Sequence, residues 1–274
     1  MDTAYNKNKK KKKSRVIGLT YTSPIFGPVH SRRLGISLGI NLLPDDGKWC
    51  NFDCIYCECG LNRFKRARNP LPDAQQVVDA LISKLDEMKA GGITPDVLTF
   101  AGNGEPTMHP DFPQIARKVI SVRNQYCPKA KVSILSNSTR IHIDEIREAL
   151  IQFDNNILKL DTADTEYINR VNQPAGGYDL DRVVENMCKF DGNLIIQTMF
   201  MKGVDENNVS VDNTGDRYVE PYIQALKRIK PGKVMIYTID RNTPVATLEK
   251  ASREELDSIA DRIRMEGFEV SVSY

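Results

Sequence analysis

The chain has 274 residues, of which 41% are hydrophobic and 27% charged, an ordinary balance for a globular α/β protein able to bury a proper core. No apolar run approaches the roughly 18 residues of a membrane span, and no apolar segment follows the N-terminal lysines, so the expectation is a cytoplasmic protein with no membrane partner and no secretory signal. A net charge of only +2 gives no global case for a nucleic-acid partner, and the six cysteines point to metal ligands and free thiols rather than disulfides.

The chain opens on Lys7, the run Lys9 to Lys13, and Arg15. This low-complexity basic tail, residues 1–15, is expected to be disordered by self-repulsion; it either touches phosphates or only solubilises. Residues 16–274 read as one domain. Val16 to Thr22 is a candidate strand, and Pro24 to Arg33 reads as a loop because Pro24, Gly27 and Pro28 punctuate it. Ile36 to Leu43 suits a buried strand. Asp73 is then the expected N-cap of a helix in which Val77, Val78, Leu81, Ile82, Leu85 and Met88 recur at helical spacing until Gly91-Gly92.

The alternation continues through strand 97–100, a helix carrying Phe112, Ile115, Val119 and Val122, strand 132–135, a helix over about 144–153 and strand 157–160. Helical segments 164–171 and 179–190 follow, then strand 194–200, helix 218–229 and strand 234–239. A helix with Leu256, Ile259 and Ile263 and a last strand over 268–272 finish the chain. Such alternation implies a parallel sheet with crossover helices. Six strand–helix units and an extra strand predict a partial (β/α)6 TIM-like barrel with short N- and C-terminal extensions; a doubly wound sheet is second.

The stretch Cys50-Asn-Phe-Asp-Cys54-Ile-Tyr-Cys57 supplies three thiolates at C-x3-C-x2-C spacing and leaves a metal centre one ligand short. Thiolates at this density select an iron–sulfur cluster or zinc, and an open metal position is where chemistry happens. Cys59 is a fourth thiol close by, which keeps a four-cysteine zinc or electron-transfer module, non-catalytic, as the alternative. Cys127 and Cys188 are expected to pack as small apolar side chains.

Most other unusual polar clusters fall at the carboxyl ends of predicted strands: Gly102-Asn103-Gly104-Glu105-Pro106, Ser136 to Thr139, Asp161-Thr162, Gln197-Thr198 and Asp240-Arg241-Asn242. That rim is where parallel barrels build active sites. The two glycines permit close backbone approach of a ligand, and Glu105 offers an acceptor for an ammonium. Pro106 excludes a dinucleotide fingerprint. Ser136, Asn137 and Asp161 suit ribose hydroxyls or cap the helices that follow. His109 reads as a local hydrogen-bonding residue, and Arg32-Arg33 as either solvated or an anion contact.

Together these residues resemble the radical S-adenosylmethionine (SAM) enzymes. "FGPVHSRRLGISLGINLLP", "CNFDCIYCECG" and "TFAGNGEPTMHPDF", with "LSNST", "LKLDTAD" and "YTIDR", look like the branch related to the wyosine tRNA-modifying synthases and uncharacterised iron–sulfur oxidoreductases. The resemblance implies that Cys50, Cys54 and Cys57 ligate three irons of a [4Fe–4S] cluster, with SAM completing the fourth. Reductive cleavage of SAM would give a 5′-deoxyadenosyl radical that abstracts hydrogen from a substrate.

By matching position, Tyr56 would lie near the adenine, and Gly102, Asn103, Gly104 and Glu105 would hold the methionine amino group. Ser136, Asn137 and Asp161 would hold the ribose or carboxylate. A reductant such as flavodoxin or ferredoxin is implied, and RNA is a candidate substrate beside a peptide or small molecule. The sequence departs from the wyosine synthases in having no cysteine ahead of Cys50, and it carries His30 where that branch commonly has proline.

Overall fold

The computed structural model describes residues 18–31, 35–64 and 67–274. The basic tail, Val16 and the Arg32-Arg33 pair lie outside the described residues.

Local signals in the sequence account for the helices. In α1 (Ala74–Ala90), Asp73 accepts from the Gln75 and Gln76 amides while Gln76 returns a bond to the Asp73 amide, and Gly91 closes the last turn. This reciprocal cap satisfies donors that the first turn cannot satisfy itself. Val77, Leu81, Leu85 and Met88 form the buried stripe. The helices α2 (Phe112–Tyr126), α3 (Asp144–Ile151), α4 (Thr165–Val171), α5 (Leu180–Cys188), α6 (Asp216–Ile229) and α7 (Arg253–Met265) follow the predicted order. Asp164 and Asp179 cap α4 and α5, and Ser252 with Glu255 repeats the reciprocal cap on α7.

The strands are β1 (Ile25–Ser31), β2 (Gly35–Ile40), β3 (Val97–Phe100), β4 (Lys131–Ser136), β5 (Asn155–Lys159), β6 (Ile195–Met199), β7 (Met201–Gly203), β8 (Lys233–Tyr237), β9 (Leu248–Lys250) and β10 (Val270–Ser273). The main sheet runs β1-β2-β3-β4-β5-β6-β8-β10, all parallel except the antiparallel edge strand β1. Its order never reverses, which rules out the doubly wound alternative and, with right-handed crossovers, sends every helix to one face. The sheet is therefore an open, singly wound α/β layer of the partial-barrel kind.

Alternation then divides each strand. Leu38, Ile40, Leu98, Phe100, Val132, Ile134, Leu158, Ile196, Val234 and Ile236 belong to the core under the helices. Their neighbours face the concave side in three layers. Ser37, Thr99, Ser133 and Asn155 form a hydrogen-bonded floor. Gly39, Ala101, Leu135, Ile157, Gln197 and Met235 lie at mid-height, with Lys159, Met199 and Tyr237 above them at the rim. A second apolar cluster packs the rim around Phe52, Cys54, Ile55 and Tyr56.

Three expectations need correction. Residues 18–22 form no strand, whereas the supposed loop 24–33 contains β1. The prolines are tolerated there because β1 is an edge strand whose register breaks between Phe26 and Val29, around Pro28. Gly39 is what admits it: a Cβ at Gly39 would lie 2.1 Å from the Phe26 ring. Cys188 is exposed rather than packed, with its thiol toward the Arg228 carbonyl, while Cys127 is buried as expected. The small antiparallel sheet of β7 and β9 has no counterpart in the sequence reading.

Candidate active site

The cysteine loop leaves β2 and is stitched to the rim by its own backbone. Trp49 N–H donates to Asn103 O at 2.7 Å and Glu105 N–H to Trp49 O at 3.1 Å, a one-step parallel bridge between Trp49 and Gly104. Gly104 has φ +147°, and a Cβ there would sit 1.8 Å from Trp49 O; one at Gly102 would sit 2.5 Å from Asn41 Oδ1. Both glycines thus admit neighbouring protein atoms at distances no side chain allows. On the far side, Asp53 N–H and Ile55 N–H donate to Asn172 O and Val171 O, each at 2.9 Å.

So held, Cys50, Cys54, Cys57 and Cys59 border a cavity of about 430 Å³. Each of two thiols receives a side-chain amide: Asn137 Nδ2 lies 3.7 Å from Cys50 Sγ and Asn172 Nδ2 3.4 Å from Cys54 Sγ, while Phe52 N–H reaches Cys50 Sγ at 3.4 Å. Lys48, fully enclosed, donates to Asp53 Oδ1 at 3.1 Å and Gly60 O at 3.0 Å within the same loop. Burial lowers the tendency of that ammonium to stay charged, but Cys57, Cys50, Cys54 and Asp53 outweigh it and hold Lys48 protonated. Burial pushes the Cys50 and Cys54 thiols up, opposed by Lys48 and Lys159.

This donor set fits an iron–sulfur cluster. Three soft ligands face open space, amide N–H groups point at sulfur, and a buried cation offsets thiolate charge. Cys59 is placed differently, its thiol 3.3 Å from Gly102 O and beside Cys57. Among the described residues, no three Cys, His, Asp or Glu side chains close on a point that one ion could occupy.

Of the residues expected to hold SAM, Tyr56, Gly102, Gly104, Glu105, Ser136 and Asn137 line this cavity. Glu105 is already engaged: Oε1 accepts from Ser136 Oγ at 2.8 Å, Thr107 N at 3.1 Å and Thr107 Oγ1 at 2.6 Å, and Oε2 from Asn137 N at 2.6 Å. Burial still raises its pKa, because those bonds only partly offset desolvation. Asn103 faces away from the cavity, its amide spanning Tyr21 and Pro44 backbone atoms at 2.8 to 2.9 Å. The Asp161 carboxylate is also turned into the protein, where Tyr56 Oη, Asn172 Nδ2 and the Met199 amide bond to it.

Sequence reasoning missed Lys159. Its ammonium lies 5.0 Å from the Tyr56 ring centroid, donates to Tyr56 Oη at 2.9 Å and Tyr237 Oη at 3.3 Å, and sits 3.7 Å from Asp161. Desolvation opposes the charge; Asp161, Tyr237 and Cys54 more than restore it, so the pKa is raised. The signal was present, since a lysine at an inward strand position is seldom there without a partner. Asn172, just after α4, carried no such signal. His109 is the local residue expected, with Nε2 to Pro72 O and Nδ1 accepting from Asp111 N.

Residues 46–214 match the model of the radical SAM superfamily. The chain belongs to that superfamily. This radical SAM protein is 32% identical over 239 residues to a UPF0026 protein of Helicobacter pylori, a match covering 85% of the chain and 71% of that protein. In fold it resembles a radical SAM methyltransferase from Sphaerobacter thermophilus, with a TM-score of 0.65 and 13% identity over 87% of the chain and 66% of the other. It also resembles TYW1 bound to a lysine–pyruvate adduct, at 0.58 and 13% identity over 85% and 74%. The superfamily's cofactors are a [4Fe–4S] cluster and SAM, so the radical SAM protein is an enzyme, and the non-catalytic zinc or electron-transfer module gives way. Among the described residues no helix is long and apolar enough to cross a membrane.

Proposed function

We infer that the enzyme cleaves SAM at the mouth of the partial barrel and turns the resulting radical on an RNA substrate. What carries the reading of the mouth is the convergence of Cys50, Cys54 and Cys57 with sulfur-directed amides on a cavity large enough for a cofactor. Cys50, Cys54 and Cys57 would hold the cluster, which would supply one-electron reduction of SAM and, through it, removal of a hydrogen atom from the substrate.

The chain's own residues bind and orient. Gly102, Gly104, Ser136 and Asn137 are the proposed SAM wall, with Tyr56 beside the adenine. Glu105 and Asp161 position that wall, Glu105 by holding Ser136 and Asn137 and Asp161 by holding Tyr56 and Asn172. Asn103 ties it to the floor of the cysteine loop. Lys159 is a cationic wall residue: Asp161 and Tyr237 keep it charged, unlike the amine that must be neutral to form an adduct of the kind bound to TYW1.

RNA is favoured by the likeness to TYW1 and the basic tail in the sequence, and the electron donor is a small one-electron protein of the flavodoxin or ferredoxin class. Anaerobic reconstitution with iron and sulfide, then dithionite and SAM, should yield 5′-deoxyadenosine above a Cys54→Ala control. No excess over that control refutes the reading of the mouth. Nucleoside profiling of tRNA and rRNA with and without the protein tests RNA, and unchanged profiles refute it.

A further inference from the structure

Below the mouth lies a second cavity of about 150 Å³ inside the barrel. Tyr21, Ala101, Leu135 and Gln197 wall both cavities, which makes the two immediate neighbours. Its existence follows from the middle layer: Gly39 and Ala101 leave the sheet bare, the Phe26 ring covers Gly39, and the space over Ala101 stays open. Two features of its lining point to a ligand. Tyr21 and Phe26 stack on each other with centroids 4.3 Å apart and present an aromatic wall. Opposite in kind, the Gln197 side chain is only 7% exposed and lines the cavity, yet its amide meets no hydrogen-bond partner among the described residues. With no protein partner, that amide is available to bond whatever enters the cavity.

We propose that this cavity is the substrate subsite for a planar, uncharged ring bearing a cyclic-amide edge, an N–H beside a C=O as in an oxo-pyrimidine or oxo-purine. Size, stacking surface and polarity agree. A cavity of about 150 Å³ takes a six-membered ring. An amide carries one acceptor and two donors, which matches a neighbouring N–H and C=O with a paired bond. No described residue lining the cavity is charged, so an ionic substituent would meet no partner there. The rest of the substrate would extend into the wider cavity, toward the reacting centre. The inference deepens the reading of the mouth and rests on it.

The test uses the reconstituted, SAM-loaded enzyme without reductant, probed by saturation-transfer NMR with uracil and with 1,3-dimethyluracil, the same ring without an N–H. Uracil should bind at least ten-fold more tightly. Gln197→Leu should weaken uracil about ten-fold and erase the preference, and Gln197→Glu, equal in size but without the amide donors, should do the same if the leucine variant fails to fold. Ala101→Leu should exclude both rings. Equal binding of the two rings by the wild type, or a preference that survives in a folded Gln197→Leu, overturns the proposal.

A uridine-containing single-stranded RNA that displaces uracil better than free uridine assigns the ring to a polynucleotide; the reverse assigns it to a free base or nucleoside. Adding dithionite to the same wild-type preparation separates the two readings. 5′-Deoxyadenosine without ring binding overturns the subsite alone, and ring binding without 5′-deoxyadenosine overturns the reading of the mouth.

Discussion

The contact between Trp49 and Gly104 is where one methyl group should do most to the site. In Gly104→Ala the new Cβ would meet Trp49 O at 1.8 Å, at a φ of +147° that side chains rarely adopt. The strain of such a backbone costs about 1–3 kcal/mol. Relief requires the two segments to part, which breaks the Trp49–Asn103 and Glu105–Trp49 bonds, each worth about 1 kcal/mol. The sum, roughly 3–5 kcal/mol, corresponds to a fall in Tm of roughly 6–20 °C for a chain of this size. Because the strained bridge immediately precedes Cys50, iron uptake should fall with it. The assay is thermal unfolding plus iron per chain after anaerobic reconstitution. Gly176→Ala is the control: nothing lies within 4 Å of an added Cβ there, so its effect should stay within about 0.5 kcal/mol. A Gly104→Ala protein with wild-type Tm and iron content would refute the claim that this glycine seats the cysteine loop.

Iron content also sorts the cysteines: Cys50→Ala, Cys54→Ala and Cys57→Ala should each lose most reconstituted iron, whereas Cys59→Ala should retain it, and equal loss in all four would readmit Cys59 as a ligand. Lys159→Met removes the partner of Asp161 and of two phenols; since the lysine is 18% exposed, the expected loss in denaturant unfolding is roughly 2–3 kcal/mol, below the 3–5 typical of a fully buried pair. A loss under about 0.5 kcal/mol would show that solvent replaces the pair. His109 has a pKa lowered by burial from 6.5, with its Pro72 bond only partly compensating. A depressed histidine favours the folded state when neutral, so its contribution is full above about pH 6.5 and is lost as pH falls through the lower folded value. Unfolding free energies of wild type and His109→Gln should therefore converge below that pH; parallel curves would contradict it.

The layered interior explains which parts of the site could be read from residue types. Strand periodicity and the position of polar clusters after strands depend on local order, and they located the rim and the cysteine loop. Direction and company do not. Asn103 and Asp161 stand in the right loops, but tertiary neighbours 59 and 38 residues away turn them inward. Lys159, two residues before Asp161, faces the cavity because strands alternate, a rule that the sequence could have supplied. The edge strand β1 was hidden by Pro24 and Pro28, and only Gly39, 13 residues beyond the Phe26 it admits, makes room for it. Asn172 reaches Cys54 across 118 residues, a distance that no local pattern encodes.

Those same layers constrain the chemistry. A radical confined in a barrel must meet its substrate before it meets solvent or a wall, so the wall nearest the reacting centre should be fixed and the substrate's path short. The rim meets the first condition: Tyr56, Asn172, Asp161 and Lys159 hold one another by hydrogen bonds and an ion pair, leaving little freedom to collapse inward. The middle layer meets the second, since the mouth shares the walls Tyr21, Ala101, Leu135 and Gln197 with a compartment of apolar and aromatic lining. In the floor layer, Ser37 bonds to Thr99 at 2.9 Å and Asn155 to Ser133 at 2.8 Å. Gln197 is the exception in a layer otherwise apolar or bare, and it stands at the boundary between the two cavities. A polar group kept there without a protein partner is best explained by what it must recognise.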